Sequence, residues 1–235
     1  MLAVSTPSTS RRAPSRCWTP LWLAVAAMTL TLAMACDTKP REEASASTGT
    51  GAAKGELAVG HFGSMTGSEA TFGQSTDNGI RLAVDELNAK GGVKLADGSM
   101  RQVRLITYDT RGQASETGAV VTRLITSDGA VAILGEVASS LSLAAGPVAQ
   151  QAGVPMISPS STNPKVTEIG DMVHRICFID PFQGYVGAVF IKDNLKLNRV
   201  AVIFDQAQAY STGLKDNFVE AYKGLGGEVT TTSML

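Results

Sequence analysis

Two adjacent serines, Ser139 and Ser140, stand where an apolar strand pattern gives way to a helical one. Further on, the run SPSSTNP (158–164) gathers Ser160, Ser161 and Thr162 between a second apolar strand and a proline. Hydroxyls and backbone N–H groups at a helix start suit a small anion such as a carboxylate. The competing reading is plain helix N-capping by Ser139 and Ser140, with Ser160 and Thr162 satisfying turn amides. Two further loops share this character, GSMTGSEATFGQ (63–74) and DQAQAYSTG (205–213), and each carries one aromatic, Phe72 and Tyr210. Phe72 is open to a second reading as a loop residue packed on the core. All four loops are nearly free of cations.

Catalytic signatures are weak. No GxSxG elbow and no phosphate-binding loop occurs, and GHFGSMTG (60–67) lacks the dinucleotide GxGxxG. Neither His61 nor His174 has a Cys or His partner at metal spacing. Asp109 and Asp205 end strands, where solvated carboxylates are common. The sequence thus predicts no enzyme, no cofactor and no metal. The 21 acidic and 20 basic residues form no basic stripe, which argues against nucleic acid.

These loops need elements to position them. LAVGHF (57–62), VRLITY (103–108), AVAIL (130–134) and VPMI (154–157) read as short buried strands. Helical patterns lie between them. One spans about 75–89, with Ile80, Ala83, Val84 and Leu87 on a single face; another carries Val121, Leu124 and Ile125. A third lies near 140–152, where Pro147 predicts a kink or a later start. VHRICF (173–178) reads as extended. Asp180-Pro181 then predicts an N-cap and a first-turn proline for a helix with a Phe182, Val186, Val189 and Phe190 stripe. RVAVIF (199–204), a helix through Leu214, Phe218 and Tyr222, and EVTTTS (228–233) complete the alternation. Strand–helix alternation with apolar strands predicts an α/β fold of doubly wound parallel sheets, whose ligands bind beyond the carboxyl ends of the strands. All four hydroxyl-rich loops follow strands. A break near 165–180 predicts a second lobe with too few strands to cover its own sheet.

The N-terminus reads as a targeting segment. Arg11, Arg12 and Arg16 precede an uncharged apolar run from Trp18 to Ala35, and LAMAC (32–36) ends on small residues before a cysteine. This predicts a lipoprotein signal peptide over 1–35, lipidation of Cys36, and a flexible Ser/Thr/Ala/Gly-rich tether over 36–55. An uncleaved anchor helix is the alternative. The mature part would hold 21 acidic and 17 basic residues, a net charge of −4. With Cys17 removed and Cys36 lipidated, Cys177 is left alone, and no internal disulfide is expected.

FGQSTDNGIRLAVDELNAKGGV (72–93), GEVASSLSLAAGPVAQQAGVP (135–155) and ISPSSTNPKVT (157–167) occur in order. Together they resemble the periplasmic leucine/isoleucine/valine-binding proteins, the type I solute-binding components of ABC transporters. The resemblance covers about residues 56–235. It implies a type I periplasmic-binding-protein fold, two α/β lobes closing on a ligand, with 56–172 as the N-terminal lobe and 173–235 as the crossover and a partial second lobe. It implies that Ser139 and Thr162 hold an amino acid's carboxylate and ammonium, helped by backbone groups of Ser160 and Ser161. Ser140 stands beside them, and Phe72 and Tyr210 would be cleft aromatics. The implied partners are an amino acid or similar small polar solute, ABC permease subunits, and a bacterial membrane reached through the lipid on Cys36, on its periplasmic side. Two features depart from the family: its acidic ammonium-binding residue lies in a later region this sequence lacks, and its first-lobe disulfide is replaced by Gln113 and Ala138. A sensory ligand-binding module of the same fold, or a truncated remnant that binds nothing, remain as other readings.

Overall fold

The structure, a computed structural model, describes residues 55–235. The expected signal peptide, the expected lipidation site Cys36 and nearly all of the expected tether lie outside the described residues. The first sheet contains β1 (Glu56–Gly63), β2 (Val93–Lys94), β3 (Met100–Asp109), β4 (Ala132–Leu134), β5 (Met156–Ser158) and β6 (Val173–Arg175), in the spatial order β2-β3-β1-β4-β5-β6. All neighbours are parallel except β2, a short antiparallel edge on β3. The order reverses at β1, which lies between β3 and β4. That reversal opens a crevice beyond the strand ends, between the loops after β1 and β4.

Helices α1 (Ala70–Ala89), α2 (Ala114–Thr126) and α3 (Ser139–Ala152) connect these strands. The core lies under α2 and α3, where Phe62, Val121, Leu124, Ile133, Ala145, Ala149 and Met156 pack together. Burial on this side supplies most of the sheet's stabilisation, at about 25 cal/mol per Å² of apolar surface. The expected α1 stripe is less buried. Ile80, Ala83, Val84 and Leu87 line an apolar crevice with Val59, Val103 and Leu134, and Leu87 is 43% exposed. Helix α1 is instead held by a close backbone approach and by polar side chains, Asp77 among them. Gly73 sits so close to β1 that a Cβ there would fall 2.1 Å from the Ser64 carbonyl. Asp77 accepts from His61 Nδ1 and from Thr107 Oγ1 (2.8 Å), and Arg81 Nε donates to it at 2.6 Å. Burial alone would raise the Asp77 carboxyl, but the hydrogen bonds from Arg81, Thr107 and His61 outweigh it and hold it below its usual range.

Several expectations are corrected. Helix α3 does not start late; it begins at Ser139 and runs through Pro147 to Ala152, and the left-handed backbone of Gly153 (φ 65°) closes it. Strand β6 ends at Arg175, not Phe178. Asp180 does not cap helix α4 (Asp180–Val189): the cap position is Ile179, and Asp180 is the first helical residue. The predicted α4 stripe also faces outward, with Phe182 58%, Val186 47% and Phe190 52% exposed. The packed face is the small one. Gly184 and Ala188 are buried, and a Cβ on Gly184 would lie 2.7 Å from the Phe218 amide of helix α5 (Ala209–Gly224). Only small side chains permit an approach that close, so helix–helix contact overrides apolar periodicity here.

Strands β7 (Arg199–Phe204) and β8 (Glu228–Met234) form a second, two-stranded parallel sheet. Tyr222 is its buried anchor, stacked on Phe218 at 5.5 Å and donating to the Leu197 carbonyl at 2.8 Å. Ile203 (65%) and Met234 (59%) stay exposed, as expected of a sheet with too few strands to cover itself. Among the described residues no helix is long and apolar enough to cross a membrane.

Candidate functional site

The loops after β1, β4 and β5 meet the start of α5 around a cavity of about 520 Å³, within the usual range for small-molecule sites. Phe72, Ser139, Ser160, Thr162 and Tyr210 line it. So do Glu69, Val137, Ala138, Cys177, Phe178, Gln183, Gln208 and Ser211. Phe72 and Phe178 are 64% and 54% exposed at its mouth, and Tyr210 is held by Gln183, whose Nε2 donates to the phenolic oxygen at 2.9 Å.

Two of the nominated serines lie off this cavity. The Ser161 hydroxyl is buried and contacts Ser142 Oγ and the Glu136 and Val137 carbonyls at 2.8–3.1 Å. Ser140 accepts from the Ala209 amide at 2.9 Å and donates to Gln208 Oε1 at 3.2 Å. With the Asn163 Nδ2 bond to the Ala209 carbonyl (2.9 Å), Ser140 ties the start of α5 to the first sheet. Ser140, Asn163 and Ala209 face a separate cavity of about 680 Å³ on the far side of this tie.

The remaining hydroxyls divide the chemistry between them. Ser139 is the first residue of α3, one place inside the cap position, which Ala138 occupies. Its Oγ accepts from the Asn163 amide at 3.4 Å, which leaves its proton available. Neither the Ser139 nor the Ser140 amide has an acceptor among the described residues, as expected in the first turn of a helix. Donors converge there, as a carboxylate requires. Thr162 is the opposite case. Its hydroxyl donates to Asp180 Oδ1 at 2.6 Å, so only acceptor capacity remains, and that suits an ammonium.

Supporting residues hold this geometry, and sequence reading missed them. Glu136 is 1% exposed. Its Oε1 accepts from Ser64 Oγ (2.6 Å) and Thr110 Oγ1 (3.0 Å), and its Oε2 from the Val137 and Ala138 amides. One carboxylate thereby joins the loops after β1, β3 and β4. Arg175 donates to the Ser161, Asn163 and Pro164 carbonyls at 2.7–2.9 Å and to Thr167 Oγ1, which fixes the loop carrying Ser160 and Thr162. Asp180 is fully buried and its Oδ2 has no partner. Burial pushes its carboxyl above the usual range despite the Thr162 hydrogen bond and the Arg175 charge. Polar residues that lack periodicity carry no sequence signal, although Glu69 and Glu136 do lie within nominated loops. Among the described residues no cluster of three or more potential ligands could hold a metal.

The pattern that defines the periplasmic binding proteins matches residues 56–234. An amino acid binding protein of Pseudomonas aeruginosa is 35% identical over 165 residues, 70% of this chain and 42% of its own. The leucine-specific-binding protein of Salmonella typhimurium is 32% identical over 174 residues, 74% of this chain and 45% of its own. Among solved structures, a leucine binding protein from Thermotoga maritima superimposes with a TM-score of 0.70 at 39% identity, covering 76% of this chain and 49% of that one. LivJ from Streptococcus pneumoniae, in complex with isoleucine, gives 0.70 at 32% identity, covering 77% and 49%. The chain thus spans about half the length of the relatives it matches. With its type I sheet order, its strand-end cavity and this pattern, the chain belongs to the periplasmic binding protein family, in the group of leucine/isoleucine/valine-binding proteins.

Proposed function

We propose that this chain captures an amino acid outside the cytoplasm and presents it to an ABC permease, held to the membrane by a lipid on Cys36. The observation that carries the reading is the division of hydroxyl chemistry in the cavity. Ser139 and the first-turn amides of α3 offer donors for an α-carboxylate, while Thr162, its proton given to Asp180, offers an acceptor for an α-ammonium. Exposed Phe72, Phe178 and Tyr210 leave apolar surface at the mouth for a ligand to cover. A ligand touching both the first sheet's loops and α5 favours the conformation in which both contacts exist.

Calorimetric titration with amino acids tests the head-group assignment. Ser139→Ala and Thr162→Val should each weaken binding by about 1–3 kcal/mol, the cost of a lost buried hydrogen bond. Unchanged affinity in both variants would remove these hydroxyls from the site. Membrane attachment is tested separately by the intact mass of the membrane-extracted protein. A mass carrying lipid on a chain starting at Cys36, lost in Cys36→Ala, supports the anchor; a variant retained in the membrane at unchanged size refutes it.

A further inference from the structure

Resting on the amino acid reading above, we infer that the solute taken by this cavity carries a cationic nitrogen at the end remote from its α-amino acid head, and that Glu69 receives it. Glu69 lines the cavity and is half-buried. It occupies the position just before α1, where a side chain commonly caps the helix, yet it makes no capping hydrogen bond. Its carboxylate has no hydrogen bond and no ion pair among the described residues, although Ser, Thr and Gln side chains line the same wall. Burial, and secondarily the charge of Glu136, push its carboxyl above the usual range. Both effects disfavour the charged form of a half-buried carboxyl that no described cation faces.

Sheet order is the argument for which end of the ligand meets it. Glu69 enters from the loop after β1, Ser139 from the loop after β4, and Thr162 from the loop after β5, and these strands are neighbours in that order. Glu69 and Thr162 therefore flank Ser139 on opposite sides. A head group with its carboxylate at Ser139 and its ammonium at Thr162 turns its side chain toward Glu69.

An aliphatic side chain would strip water from that carboxylate and give nothing back, which is costly for an ionised group. A cationic nitrogen supplies both charge and donors. No Lys, Arg or His lines the cavity to compete for Glu69, and the faces of Phe72, Phe178 and Tyr210 are compatible with a cation passing between them.

The test is calorimetric titration of the full chain with L-arginine, L-lysine and L-leucine, in the wild type and in Glu69→Gln and Glu69→Leu. The wild type should bind L-arginine or L-lysine at least about tenfold more tightly than L-leucine, the scale of discrimination set by one buried polar group left unpaired. Glu69→Gln should narrow that ratio and Glu69→Leu should abolish or invert it, with thermal unfolding unchanged because Glu69 has no protein partner to lose. Equal or tighter binding of L-leucine by the wild type overturns the inference and leaves amino acid capture standing. So does a ratio unaltered in Glu69→Leu. If no amino acid binds at all, the capture reading itself falls and this inference falls with it.

Discussion

Glu136→Ala is expected to lower the unfolding free energy by about 3–5 kcal/mol, the range found when a buried charged partner is removed from its hydrogen-bonding groups. Four donors lose their acceptor at once: Ser64 Oγ, Thr110 Oγ1 and the amides of Val137 and Ala138. Ser64 and Thr110 are 2% and 0% exposed, so water cannot take the place of the carboxylate without opening the site. For a chain of this size the loss corresponds to a fall in Tm of roughly 10 °C. Glu136→Gln should fall between wild type and alanine. Its amide oxygen can still accept on one side, but its NH2 meets donors on the other. Urea unfolding of the three proteins checks this ranking. A cost under about 1 kcal/mol for alanine would mean that the three loops are held by something other than this carboxylate.

Arg175→Met is expected to have the second-largest effect, with its main consequence in binding. The apolar stem is kept and only the guanidinium is lost, so the variant isolates the hydrogen bonds from the packing. Carbonyls of Ser161, Asn163 and Pro164 lose their donor, and Ser161 and Asn163 are nearly inaccessible to water. A loss of about 2–4 kcal/mol in stability follows from several hydrogen bonds to a charged donor. Because those carbonyls bracket Thr162, the loop should relax and amino acid affinity should drop at least about tenfold, the price of a misplaced positioning group. Arg175→Lys should recover little, since an ammonium cannot reproduce a planar fork spanning three carbonyls. Affinity unchanged in Arg175→Met, with only stability reduced, would separate loop order from ligand binding and refute this second claim.

Both residues show how differently the two kinds of information are written in the chain. Sequence by itself determined the alternation of strand and helix, because burial repeats every second residue in a strand and about every 3.6 residues in a helix, and turn residues mark the breaks. It also determined which loops lie at the strand ends, and hence Phe72, Ser139, Ser160, Thr162 and Tyr210 as cavity residues. Tertiary structure decided what each hydroxyl can still do. Ser139 and Ser140 are adjacent and chemically identical, yet one faces the cavity and the other bonds Ala209, nearly seventy residues away. Nothing local distinguishes them, because the difference lies in which partner the fold brings opposite. The same reason hid the roles of Glu136, whose partners come from three loops, and of Arg175 and Asp180, whose partners lie on the loop after β5. It also misplaced the packed face of helix α4, where the apolar stripe was legible but the close approach of α5 at Gly184 selected the small face instead. Periodic burial is a property of a segment and can be read from it; the state of a proton or a lone pair belongs to a pair of groups, and exists only once the chain has folded.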